Sequence, residues 1–228
     1  MPLKCYISRT HIVMCPHSVT QASGMSDPTV TQQVKDFVRE QGLVRRRDVE
    51  DAGYPPPLLY RLRDRGELLE VAPGVFKHPD TEITEKHTYA EAAKLVPRGV
   101  ICLLSALAFH EIGTQMPRRV WMALDRSNRR RPDTEESIEF VWFSGAAFEE
   151  GQEIHEVEGV EVRVYSPAKT VADLFKYRRK IGLDVALEGL REGWRDGRFT
   201  MEEVQSYAEI CNVQEVIRPY LQTLASGP

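Results

Sequence analysis

The sequence predicts an α+β protein in two parts, and three observations carry that reading. Apolar residues repeat at helical spacing from Val30 to Val38, and two further short helical patterns follow. A Pro-Gly turn then separates two strand-like runs between residues 67 and 77. Beyond residue 85 the order is helices, then strands, then a helical end. Residues 1–26 show no sustained periodicity and read as a flexible tail. Met25 lies just ahead of a well-formed helix start and is a candidate translation start.

The first helix is punctuated by Asp27 as cap, Pro28 in the first turn and Gly42 at its end, with Val30, Val34, Phe37 and Val38 as its apolar stripe. Leu43-Val44 is extended. A short helix over 46–52 ends at Gly53, and Pro55-Pro56-Pro57 opens a third that runs to Arg65 and stops at Gly66. Glu67 to Val71 and Val75 to Lys77 form a hairpin around Ala72-Pro73-Gly74. Three helices and a hairpin in about fifty residues is the order of a winged helix-turn-helix, so residues 27–79 are expected to be a DNA-binding domain.

His78-Pro79-Asp80 begins a linker, and a second, mixed α+β domain is expected over 85–226. It starts with helices over 85–96 and 103–112. Strands follow over 119–124 and 138–143, joined by a basic loop, and then a hairpin over 154–164 turning at Glu158-Gly159. The remaining helices open at Ser166-Pro167, Asp184, and the capping boxes Thr200-x-x-Glu203 and Asn212-x-x-Glu215.

No apolar run reaches the ~20 residues of a membrane span, and the start does not read as a signal peptide, so a cytoplasmic protein is expected. Cys102 and Cys211 fall in apolar patterns that favour buried, reduced thiols. Cys5, His11, Cys15 and His17 match no zinc module well; neither metal nor cofactor is expected.

A net charge of −4 argues against a nucleic-acid binder until its distribution is considered. Positive charge gathers in Arg45-Arg46-Arg47, in Arg61, Arg63 and Arg65, from Arg118-Arg119 to Arg131, and from Lys176 to Lys180, while acid gathers from Glu149 to Glu161. On the third helix Leu58, Leu59 and Leu62 share the inner side, leaving Tyr60 and Arg61 as candidate base contacts, with Arg63 next and Arg65 closing the cluster. Arg45, Arg46 and Arg47 open the helix that crosses the backbone, and they suit phosphate contacts, as does Lys77 on the wing.

The sequence offers little catalytic machinery, and no catalytic residue is expected. Ser105 and His110 stand about 140° apart on one helix and cannot pair. His155 sits among acids. Asp125 with Glu161-x-Arg163 allows one alternative, a metal-dependent nuclease, but Arg replaces the usual Lys and a second acid of clear role is missing.

Several segments resemble the AbiEi family of antitoxins. These are Leu43 to Asp48, Arg61-Leu62 to Gly66, Val71-x-x-Gly74-Val75-Phe76, Leu104 to His110, Gln115-x-Pro117-Arg118-Arg119-Val120-Trp121 and, most specific, Tyr165-Ser166-Pro167-Ala168-Lys169-Thr170-Val171-Ala172-Asp173. The resemblance spans about residues 29–224; residues 1 to about 26 have no counterpart in it. It implies a bacterial type IV toxin–antitoxin or phage-defence operon with a nucleotidyltransferase-like toxin, repression by binding inverted repeats in its own promoter, a homodimer on DNA as a candidate assembly, and toxin neutralisation by the C-terminal domain without a stable toxin complex. Within the specific block, Lys169 and Asp173 read as an i,i+4 surface pair of ~0.3–0.5 kcal/mol. The functional alternative is an antitoxin face of Lys169, Asp173, Lys176, Arg178 and Arg179. The competing functions are a repressor whose second domain dimerises or senses a ligand, and the nuclease.

Overall fold

The computed structural model describes residues 29–127 and 137–225, and the expected α+β class is what it shows. Asp27, Pro28, the four N-terminal Cys and His residues and Arg129 to Arg131 lie outside the described residues. α1 (Val30–Gln41) is capped by Thr29, whose hydroxyl accepts from the Gln32 amide, and Gly42 ends it at φ +70°. β1 (Leu43–Arg45), α2 (Arg46–Asp51) and α3 (Pro57–Asp64) follow, then the hairpin β2 (Leu69–Ala72) and β3 (Val75–Lys77). β1 joins the hairpin in a sheet of order β1-β3-β2. One side of this sheet, with Val44 and Phe76, closes the core made by Val34, Val38, Val49, Leu59 and Leu62. The other side, with Leu43 and Val75, packs on α4 (His87–Leu95) and what lies beyond.

After α4 come β4 (Val100–Ile101), α5 (Leu103–Phe109), β5 (Val120–Asp125), β6 (Ile138–Phe143), α6 (Ala146–Glu149), β7 (Gln152–Val157) and β8 (Val160–Tyr165). The five strands form one mixed sheet of order β6-β5-β4-β8-β7. Period-two alternation divides its faces. Met122, Leu124, Ile138, Phe140, Val162 and Val164 face α4 and the winged helix. Ala123, Val141, Phe143 and Tyr165 face α5 and the helical end, α7 (Pro167–Ile181), α8 (Leu183–Arg195), α9 (Met201–Ile210) and α10 (Gln214–Ala225).

The boundary starts behave unequally. Ser166 caps α7 by accepting from the Lys169 amide, and Thr200 and Glu203 form the expected box on α9. The expected Asn212–Glu215 box does not form. Asn212 sits at φ +57° and ends α9 instead, its amide donating to Glu209. The first amides of α10, from Val216 and Ile217, bond to the Val213 carbonyl at 2.9 and 3.0 Å. Asparagine tolerates the left-handed conformation, and here that role outcompetes capping.

The largest correction concerns Lys169 and Asp173. Both side chains are fully buried, with Nζ 2.5 Å from Asp173 Oδ2. The ammonium lies 4.2 Å from the Tyr165 ring centre and 4.8 Å from that of Phe143. The Cys211 thiol donates to the other Asp173 oxygen at 3.1 Å. Burial pushes the Asp173 carboxyl above its ordinary value, against the opposing pull of Lys169. α7 is covered on all sides near its start because Ala168, Thr170, Val171 and Ala172 are small or apolar. The pair is therefore part of the core, and neither residue belongs to a surface face.

Two backbone contacts join the winged helix to the β7–β8 turn. A Cβ on Gly42 would lie 2.3 Å from the Glu158 carbonyl oxygen, and one on Gly159 would lie 2.9 Å from that of Gln41. Side chains reinforce the junction: Lys94 of α4 bonds Asp48 of α2 at 2.8 Å, and His87 of α4 bonds Glu158 at 2.5 Å.

Asp173→Asn strands the Lys169 ammonium in the core and should cost about 3–5 kcal/mol in urea unfolding, whereas Lys169→Met with Asp173→Leu should cost less than either single change. A single-variant loss below about 1 kcal/mol would mean that the pair behaves like a surface one.

Candidate nucleic-acid interface

α3 is the element through which a winged helix meets DNA, and its inner side is well anchored. Leu59 and Leu62 are fully buried, each worth roughly 1.5–3 kcal/mol of transfer free energy. Pro57 opens the helix, where its missing N–H costs nothing, and Gly66 at φ +72° turns the chain out of it. Tyr60 is half-buried and meets the Phe76 ring edge-on, 5.3 Å between centres. Arg61 is exposed, and its side chain makes no hydrogen bond or ion pair among the described residues. Arg65 is also exposed, with Glu67 at 4.0 Å.

Arg63 is engaged within the molecule. Its guanidinium stacks 5.2 Å from the Tyr60 ring centre and bonds Glu70 at 2.5 Å and Asp64 at 2.9 and 3.0 Å. The other Glu70 oxygen accepts the Gly74 amide at 2.9 Å. Glu70 thus ties α3 to the wing turn. The Gly74 amide first, and then Arg63, hold its carboxyl below the usual value.

The three arginines that open α2 separate into two kinds. Arg46 and Arg47 are exposed. Arg45 is half-buried, its guanidinium on Asp48 at 3.1 Å while the Asp48 carboxylate also accepts the Arg45 amide at 3.0 Å. Burial opposes ionisation of Asp48, but the Lys94 and Arg45 hydrogen bonds outweigh it and keep the carboxyl low. Arg45 is therefore a structural residue as much as a cation.

Lys77 is a correction: it is 4% exposed, with Nζ turned to the Thr81 carbonyl at 3.4 Å, and it offers no cation from the wing. It follows Val75 by two residues, so it shares the covered side of the sheet.

The expected antitoxin face also shrinks. With Lys169 and Asp173 in the core, Lys176 and Arg179 remain exposed at the end of α7. Arg178 is half-buried and bonds the Phe175 carbonyl at 2.7 Å. Lys180, beside them, lies 4.5 Å from the Trp121 ring centre and bonds Glu139 at 2.6 Å.

The catalytic candidates have structural partners. Ser105 accepts the Trp121 amide at 2.9 Å, and His110 donates from Nε2 to the Tyr165 carbonyl at 2.8 Å. His155 sits beside Glu153 at 3.1 Å and packs on Phe109. Asp125 caps its own turn through Ser127 at 2.6 and 3.0 Å, and Glu161 lies 3.7 Å from Arg163. The strands carrying Asp125 and Glu161 are separated by β4, which keeps their backbones about 10 Å apart. Among the described residues, no group of three His, Cys, Asp or Glu side chains is placed to hold a metal ion, and no helix is long and apolar enough to cross a membrane.

The elements from α1 to β3 have the arrangement of a winged helix-turn-helix. Residues 32–76, from α1 to Phe76 on β3, match the family model described as transcriptional regulator, AbiEi antitoxin. The fold is similar to that in the crystal structure of the RV2827C protein from Mycobacterium tuberculosis, with TM-score 0.53 and 14% identity over 80% of this chain and 72% of that one. No curated protein matches the sequence.

Arg46→Ala and Arg47→Ala should each weaken binding to all duplexes and lower the salt slope by about one unit. Arg45→Ala should instead lower the urea midpoint. An unchanged salt slope in the first two removes them from the phosphate interface. His110 gives a pH signature. Burial lowers its pKa below the ordinary 6.5, so the unfolded chain takes up the extra proton and stability falls as pH drops through that value. His110→Gln should therefore shrink the difference in urea midpoint between about pH 7.5 and about pH 5.5; an undiminished difference assigns it to other groups.

Proposed function

We propose that this chain is a DNA-binding transcriptional autorepressor and the antitoxin of a type IV toxin–antitoxin operon, countering a nucleotidyltransferase-like toxin. The observation that carries the reading is the AbiEi match over 32–76, on a module whose third helix leaves Arg61 exposed while its leucines are anchored. Arg61 and Tyr60 read bases in the inverted repeats of its own promoter, Arg46 and Arg47 hold phosphates, and Arg65 adds positive charge at the helix end. Arg63 takes part once it exchanges Glu70 for DNA. The protein works in the cytoplasm, as a homodimer on the repeats, without catalysis of its own and without a stable toxin complex.

The division of labour falls between residues 27–79 and 85–226, the second part serving neutralisation. The surface for that role is the exposed end of α7, at Lys176 and Arg179. A repressor without antitoxin activity is the second reading. Burial of Lys169 and Asp173 favours it, because the most family-specific block then acts as core.

Both readings are tested in the full-length chain, since α4 packs on both sheets. Arg61→Ala should cost roughly 1–3 kcal/mol on promoter DNA and little on random duplex. In cells it should derepress the promoter and still protect against the product of the neighbouring toxin gene. If every DNA-binding variant also fails to protect at matched protein levels, neutralisation acts through transcription and the antitoxin half is wrong. Metal-dependent DNA cleavage that disappears in Glu161→Gln would establish an enzyme instead.

A further inference from the structure

Between the wing, α4 and the starts of β5 and β6 lies a cavity of about 790 Å³. That is within the ~300–1,000 Å³ typical of small-molecule sites, and it sits at the kind of junction between elements where such sites occur. Its apolar walls come from Val71 and Pro73 of the wing, Ala92 and Leu95 of α4, and Val120 and Ile138 of the sheet. Two guanidinium groups also line it. Arg118 is exposed and has no ion-pair partner among the described residues, and Arg119 is only loosely paired, 3.7 Å from Glu139. The one carboxylate of the lining, Glu91, is engaged by the His87 ring at 3.1 Å.

This chemistry selects among occupants. A neutral apolar molecule would cover the walls but leave the Arg118 guanidinium without an anion, and a cation would be repelled by both arginines. A compact molecule with an apolar body and one carboxylate, sulfonate or phosphate satisfies walls and arginines together. We infer that the cavity is an effector site for a small amphipathic anion, and that its occupancy alters DNA binding through the wing. The second half rests on the DNA-binding reading above. Its physical basis is short: Val71 and Pro73 form one wall, and Glu70, next to Val71, holds both Arg63 of α3 and the Gly74 amide of the wing turn. A wall displaced by a ligand therefore moves the residue that sets the wing against the recognition helix.

The probe is 8-anilinonaphthalene-1-sulfonate, an apolar body with one anionic group, titrated by fluorescence into the full-length chain. Saturable binding at one site per chain is expected. Thr88 is exposed and lines the cavity, so Thr88→Trp projects an indole into it without disturbing the core, and it should weaken that binding by about tenfold or more. Arg118→Ala with Arg119→Ala should weaken it about tenfold, as should replacing the probe by uncharged N-phenyl-1-naphthylamine. Undiminished binding to a Thr88→Trp chain with native circular dichroism overturns the site, and equal affinity for charged and uncharged probes overturns the anion. Anisotropy with a promoter duplex then tests coupling. Saturating probe should change the Kd by about fivefold in the wild type and leave Thr88→Trp unaffected. An unchanged Kd with the cavity full overturns the regulatory half. Failure of the probe-free chain to bind DNA overturns the proposed function instead, and the titration still decides the cavity.

Discussion

The arrangement of the second half depends on one ion pair inside one helix. Lys169 and Asp173 lie a single turn apart on α7, both wholly excluded from solvent. Neither charge is tolerable there alone, because desolvation of an isolated ion outweighs anything the surrounding core returns. Their neighbours supply what solvent does not. Tyr165 and Phe143 present ring faces to the ammonium, and the Cys211 thiol donates to the carboxylate. β6, β8, α7 and the end of α9 must therefore all be in place around four atoms. A hydrophobic pair could fill the same volume, but it would not demand those particular partners.

The second organising element is α4, which neither sheet can do without. Its alanines, Ala90, Ala92 and Ala93, allow close approach by Leu43 and Val75 on one side and by the large sheet on the other. Small side chains on a helix between two layers bring backbones near each other. The Lys94–Asp48 contact lies at the margin and is partly exposed, whereas the Glu158 side chain that meets His87 is covered. What the sequence presents as two modules and a linker is in the folded chain a continuous stack: helices, small sheet, α4, large sheet, helices.

Much of this was legible beforehand because the decisive signals are local. Gly42, Gly53 and Gly66 all adopt positive φ at helix ends, and Thr200 with Glu203 caps α9 as its spacing requires. The strand over 160–165 alternates enough to show its period, and that over 138–143 shows as a short apolar run. β4 is two residues long and shows no period at all. Long-range placement accounts for the errors. An i,i+4 Lys–Asp spacing indicates a helix but not its depth. The signal that could have shown it is the run of Ala168, Thr170, Val171 and Ala172 around the pair, since a helix without a polar side is a buried one. Lys77 was misplaced for a related reason: counting two residues from Val75 would have put it on the covered side. Arg63 could not have been foreseen as paired, because Glu70 reaches it only once the wing has folded back on α3.

The contact of Gly42 with Glu158, and of Gly159 with Gln41, has a consequence for synthesis. These residues are joined backbone to backbone yet lie more than a hundred positions apart. A ribosome adding about 5–20 residues per second needs several seconds to cover that distance. During that interval the winged helix has emerged, while the hairpin that seats against it and the strand β8 that covers α4 have not been made. Leu43, Val75 and the alanines of α4 then form an apolar surface awaiting its cover. The nascent chain thus passes through a stage in which its winged helix is present but unsupported.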